Sequence, residues 1–179
     1  HAYCGLSDAK CVDAQAGLET GVGVILAALA GINVVSGGGM MDYENCISLE
    51  KLIIDNEIAR MAYRLMGGIT QRDESMARRV FEDVIGGEDF MSHPHTVQWL
   101  RAEHWYPRLI DRGGAAEWQQ EGKPTLADRA AREREMLLAG PAEPILEADL
   151  LAGLQAIMVR HAALHGVKTL PRPVQLSGG

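Results

Sequence analysis

The sequence predicts an α/β fold, with two short parallel strands near its start and a predominantly helical remainder. Three observations carry that expectation. The first third alternates a short apolar run, a long helix of small residues and a second short apolar run. From Ser48 onward apolar residues recur at helical spacing, and glycine or proline marks most element boundaries.

Taken in order, residues 2–5 read as a short buried strand, and residues 13–30, rich in alanine, as a helix that stops at Gly31. Ile32-Asn33-Val34-Val35-Ser36 is a second β-branched run closed by Gly37-Gly38-Gly39. A run this short cannot be told from helix by its period, so the flanking glycines decide. A long helical crossover between two strands predicts parallel neighbours in one sheet.

Beyond them Leu49, Leu52, Ile53, Ile58, Met61, Ala62 and Leu65 mark a helix that ends at Gly67-Gly68. Another is expected over residues 71–84, with Met76, Val80 and Val84 on one face. Pro94, at a first-turn position, opens a helix near His95 that ends before Pro107. Thr125 with Asp128 starts one that stops at Gly140-Pro141. The last covers residues 147–165, with Gly166 just past its end.

Composition narrows the function classes. The 179 residues are 47% hydrophobic and 23% charged, an ordinary globular balance. A formal net charge of −7 argues against a nucleic-acid partner, which needs a positive footprint. The longest apolar run, residues 22–30, is broken by Gly23 and far too short to span a bilayer, so no membrane partner is expected. Cys4, Cys11 and Cys46 form no metal-type pair and read as free thiols of a cytoplasmic protein. The chain opens on His1 and enters a β-like run almost at once, which reads as an internal cut or a carboxyl-terminal fragment.

The densest chemistry lies between the first strand and the first helix. Ser7, Asp8, Lys10, Asp13, Gln15 and Glu19 crowd one connection, and binding groups concentrate on loops held by a rigid scaffold. Either these residues form one wall of a site at a barrel mouth, or Asp8 and Asp13 simply cap the helix. Gly37 and Gly38 suit a backbone that passes close to a ligand or bends sharply. They lack the spacing of a dinucleotide fingerprint and the Lys-Ser/Thr of a phosphate loop. Met40, Met41 and Tyr43 either line the site or pack inward.

His93-Pro94-His95 is the best metal candidate, although Glu103 or His104 would have to complete the ligand set. The alternative is a helix start whose polar side chains satisfy free N–H groups, and no metal is assigned. Asp55-Asn56-Glu57 cannot turn three side chains to one side of a helix, because neighbours diverge by about 100°, so one or two are expected to face a site or a subunit contact and the rest water.

Several motifs in order resemble the carboxyl-terminal part of the trimethylamine:corrinoid methyltransferase family. They are Ser7-Asp8-Ala9-Lys10, Asp13-Ala14-Gln15-Ala16-Gly17 with Glu19, and Leu26-Ala27-Ala28-Leu29-Ala30-Gly31. Residues 48–52, Ile54-Asp55-Asn56-Glu57-Ile58, 90–96 and 103–112 continue the likeness, which extends to about Arg134. The resemblance implies a (β/α)8 TIM barrel whose last two strands are residues 2–5 and 32–36, with the substrate pocket at their C-terminal ends. Residues 1–66 would then hold the last two β/α units, residues 67–167 the helices around them, and residues 168–179 an extended tail. That tail would pack through Leu170, Val174 and Leu176 on the chain or on a neighbouring subunit, as in a homo-oligomer.

Founding members of that family carry pyrrolysine and demethylate trimethylamine. Most bacterial relatives lack it, and some use quaternary amines such as glycine betaine. This chain has only standard residues, which points to the second group. The resemblance further implies a methyl acceptor, cobalt(I) of a corrinoid protein, presented by a partner and not bound tightly here. Asp8, Lys10 and Glu19 are then the catalytic candidates, and Tyr3, Gln15, Gly37, Gly38, Met40, Tyr43 and His95 the substrate contacts. Aromatic faces and carboxylates recognise methylated cations. Lys10 either pairs a substrate carboxylate or bridges Asp8 or Asp13. The competing classes are a non-catalytic helical assembly fragment and a metal-dependent barrel enzyme using His93 and His95.

Overall fold

The computed structural model describes residues 1–71, 77–87, 89–140 and 146–170. They fall in two compact units, His1–Ala139 and Gly140–Gly179. Within the first, α1 (Ala14–Leu29) is followed by the short strands β1 (Met40–Met41) and β2 (Cys46–Ile47). Then come α2 (Leu49–Met66), α3 (Arg78–Ile85), α4 (Pro94–Glu103), α5 (Ala115–Gln120) and α6 (Leu126–Ala139). The second unit contains α7 (Ala148–Leu164), closed by Gly166 at φ +75° as its sequence predicts.

The sheet corrects the sequence-based expectation. Residues 2–5 and 32–36 do run side by side, with Ala2 N–H donating to Val34 O and Ser36 N–H to Ala2 O, both at 3.0 Å. They yield one isolated parallel bridge, Ala2↔Val35, and no strand pair. Gly5 N–H also donates to Ser36 O at 2.9 Å, without adding a second ladder pair. The two strands among the described residues are antiparallel, Met40 opposite Ile47 and Met41 opposite Cys46. Among the described residues the predicted pair of parallel strands is not formed, and a TIM barrel is not shown. The hairpin is hard to read because its turn residues, Asp42, Tyr43 and Glu44, adopt φ of 50°, 53° and 71° without a glycine to announce it.

The helices follow their sequence signals more closely. Asp13 caps α1, its Oδ1 accepting from Gln15 N–H at 2.9 Å and Ala16 N–H at 3.3 Å. Ser48 caps α2 through Lys51 N–H at 3.1 Å. Part of the helix expected over residues 71–84, with Met76, lies outside the described residues, as do Val174 and Leu176 of the tail.

Helix α2 packs against both α1 and α6. Ile54, Leu109 and Ala130 form one buried cluster, supported by Val12, Ile53, Ile58 and Leu126. Ala9, Ala16 and Met41 form another. The apolar stripe predicted for α2 is only partly the buried one: Leu49, Leu52, Met61 and Leu65 are exposed, while Lys51, Asp55 and Glu57 turn inward. Gly23 lets α1 lie directly on the first segment, since a Cβ there would stand 2.2 Å from the Cys4 carbonyl oxygen.

Candidate functional site

The loop that leaves residues 2–5 and the loop that leaves residues 32–36 are joined by their backbones. Ser7 N–H donates to Met40 O at 3.1 Å, and Asp42 N–H to Ala9 O at 3.2 Å. Glu19, projecting from α1, ties down the first loop. Its Oε2 accepts from Ser7 Oγ at 2.6 Å and from Asp8 N–H at 2.8 Å, and its Oε1 accepts from Gln15 Nε2 at 2.8 Å. The Ser7 hydroxyl, followed by the Gln15 amide and the Asp8 N–H, holds the Glu19 carboxyl below its ordinary value. A carboxylate with three donors is a fixed anion, poorly suited to take up a proton.

Lys10 lies across the second loop. Its ammonium donates to Asp8 O at 2.7 Å, stands 3.2 Å from Asp42 Oδ1 and lies 4.8 Å above the Tyr43 ring. The Asp42 hydrogen bond is the main cause of its raised pKa. A carboxylate and an aromatic face thus hold a cation between them.

Beneath both loops sits a polar network that the sequence barely signals. Lys51 is 1% exposed, and its Nζ donates to Gly5 O at 3.2 Å, Thr20 Oγ1 at 2.9 Å and Asp55 Oδ2 at 2.5 Å. Asp55 Oδ2 also accepts from Gly39 N–H at 2.7 Å, while Oδ1 is buried without a partner. Burial pushes the Asp55 carboxyl up, against the lowering pull of the Gly39 amide and Lys51. Thr20, Gly38, Leu52, Asp55, Asn56 and Tyr63 are among the residues lining a cavity of about 570 Å³ beside this network.

Residues 1–166 match the family model described as trimethylamine methyltransferase (MTTB). The chain belongs to this trimethylamine methyltransferase family. It is 36% identical over 157 residues to a glycine betaine methyltransferase of Desulfitobacterium hafniense, covering 87% of this chain and 33% of that protein. It is also 36% identical over 152 residues to trimethylamine methyltransferase MttB2 of Methanosarcina mazei, covering 85% of this chain and 30% of the relative. Trimethylamine methyltransferase MttB of Methanosarcina barkeri matches at 34% over 152 residues, again 85% and 30%. The chain therefore spans about a third of the length of the relatives it matches.

For this trimethylamine methyltransferase family member, the structure brings Asp8, Lys10, Gln15 and Glu19 together with Met40 and Tyr43, through the contacts above. Gly37, at φ +98°, is buried where a Cβ would meet Leu6 N at 2.7 Å, and Gly38 lines the cavity. Tyr3 is exposed, its ring 5.1 Å edge-on from that of His1. His95 lies on the first turn of α4 and takes no part in the hydrogen bonds joining the loops.

The metal reading is not favoured, because both ring nitrogens of His93 are occupied. Nδ1 accepts from His95 N–H at 3.1 Å, and Nε2 lies 3.2 Å from Asp83 Oδ2. No three His, Cys, Asp or Glu side chains converge as a metal site among the described residues. Sequence reasoning missed Asp42, Thr20 and Lys51. The available signal was the Lys51–Asp55 spacing of four, which stacks opposite charges on one helix face.

Proposed function

We propose that this chain is part of an enzyme that transfers a methyl group from a methylated or quaternary amine, of the trimethylamine or glycine-betaine type, to the cobalt of a corrinoid protein. One observation carries the reading: the family match covers residues 1–166, which include both loops and the helices beneath them. The geometry supports a cationic substrate, since Asp42 and Tyr43 already hold an ammonium between them. Within the class we favour the betaine type. A quaternary ammonium carries its leaving-group charge already and needs only positioning, and Lys10 offers a charge for a substrate carboxylate.

The corrinoid acceptor supplies the nucleophile and is treated as a second substrate brought by its own protein. The residues here bind and orient the amine, so that its C–N bond points along the line of attack. Glu19 fixes the first loop as a permanent anion, and Asp8 and Tyr43 face the cationic head. As the methyl group of a quaternary amine passes to the cobalt, the amine nitrogen retains the bonding pair of the broken C–N bond and departs neutral. A cytoplasmic homo-oligomer is the setting we propose, in keeping with three free cysteines.

The test is methyl transfer from glycine betaine and from trimethylamine to a corrinoid acceptor, measured on the full-length enzyme and on Asp8→Ala. We expect betaine to be used and Asp8→Ala to lose at least about tenfold in rate, the lower end of what misplaced positioning groups cost, with little change in melting. Equal loss of folding and activity would return Asp8 to a structural role, and no transfer from either amine would overturn the reading.

A further inference from the structure

We infer that Lys51 and Asp55 are positioning residues, which lock the two candidate substrate loops to one face of α2 and so set the distance between them. The inference rests on the reading that these loops bind the methylated amine. Lys51 reaches the Gly5 carbonyl, 46 residues away in sequence and just ahead of Ser7 and Asp8. Asp55, one helical turn further on, reaches the Gly39 amide just ahead of Met40 and Tyr43. The two anchors are themselves joined at 2.5 Å, so neither loop can shift without straining the other. The glycine loop also rests on α2 directly, since a Cβ at Gly39 would stand 3.1 Å from the Leu52 Cβ.

Stability alone does not explain such a pair. Taking a lysine ammonium and a carboxylate out of water is costly, and well-packed apolar residues of similar size usually serve a core as well or better. What apolar residues cannot do is hold a carbonyl and an amide of two different segments in register. All three ammonium protons of Lys51 find acceptors, namely Gly5 O, Thr20 Oγ1 and Asp55 Oδ2. Its position is thus specified from three directions, by the first loop, by α1 and by its own helix.

The experiment compares the full-length wild-type enzyme with Lys51→Met/Asp55→Leu and with Asp55→Asn. Three quantities are read: melting temperature, amide hydrogen exchange, and KM and kcat for glycine betaine. The double variant should melt no lower than wild type. In both variants the amides of residues 6–10 and 39–43 should exchange faster together, while those of α6 keep their protection. KM should rise by roughly tenfold or more, since displaced contacts lose orientation. A purely structural role predicts a smaller active fraction, with kcat reduced and KM unchanged, and that result overturns the proposal. Exchange that quickens in only one loop overturns it as well. Should the double variant fail to fold, Asp55→Asn, which keeps the volume, decides by the same readouts. If the wild type neither binds nor demethylates glycine betaine or trimethylamine, the functional reading fails, whereas the exchange comparison still decides the clamp.

Discussion

Two polar clusters stand out in this chain, and they differ in how far their contacts reach. Around His93 two contacts are local: Nδ1 takes the N–H of His95, two residues on, and Nε2 meets Asp83, ten residues back. Asp89 Oδ2 likewise accepts Ser92 N–H, three residues away. The His95 and Ser92 contacts satisfy the start of one helix, and the Asp83 contact ties the neighbouring α3 to it. Around Lys51 and Glu19 the partners come from elsewhere, with Lys51 joined to Thr20 across 31 residues and Glu19 to Ser7 across 12. Similar residue types thus perform different work. Local bonds finish an element, whereas distant ones fix elements relative to each other, as a binding site requires.

The largest test of this contrast is Lys51→Met alone. It leaves Asp55 buried without its cation and should cost about 3–5 kcal/mol in denaturant unfolding. The double variant with Asp55→Leu should recover that loss in full. A single variant as stable as wild type would place the network among ordinary surface contacts.

His93→Ala should cost less, about 1–2 kcal/mol, the range of a lost helix cap. Elemental analysis of the full-length protein before and after the change should show no loss of metal. Stoichiometric zinc that disappears with His93 would break the comparison, because the cluster would then do more than begin α4.

Much of the helical framework was legible in the sequence, and the reasons are local. Asp13 ahead of an alanine-rich run, Pro94 at a first turn and Gly166 past a last turn each impose geometry on their immediate neighbours. The strands were not legible. Residues 2–5 and 32–36 carry β-like composition, but pairing is a property of two segments at once, and here it amounts to a single bridge. The hairpin at Met40 escaped notice because Asp42, Tyr43 and Glu44 turn without glycine. The loops' polar residues were recognised by their density, yet their anchors Lys51 and Thr20 were not. A lysine on an amphipathic helix reads as solvated, and only its placement below the Gly5 carbonyl makes it a core residue. Asp55 was noticed as one member of a run of which one or two side chains were expected to face a site or a subunit contact, and it and Glu57 do turn inward while Asn56 is exposed.

The smallest effect at neutral pH, and the finest test, is Glu19→Gln. The amide keeps an oxygen for Ser7 and Asp8, and the Gln15 side chain can turn its own oxygen to the new NH2 group. Loss of the charge should appear above the ordinary carboxyl value and fade in acid. The Glu19 carboxyl is held below its ordinary value of 4.5, so as pH falls through that value the unfolded chain takes up a proton that the folded chain refuses. Stability conferred by Glu19 is therefore present above 4.5 and is lost as pH falls through the folded pKa. Glu19→Gln should flatten this part of the acid limb. Asp55 has the opposite sign. Burial raises it above its ordinary 3.8, so the folded chain binds the proton first, and stability gains as pH falls through the folded value toward 3.8. Asp55→Asn should remove that gain and steepen the net acid loss. The acid limbs of the two variants should thus change slope in opposite directions from wild type. A change of both in the same direction would show that hydrogen bonds to Glu19 and desolvation of Asp55 do not govern these carboxyls as the geometry implies.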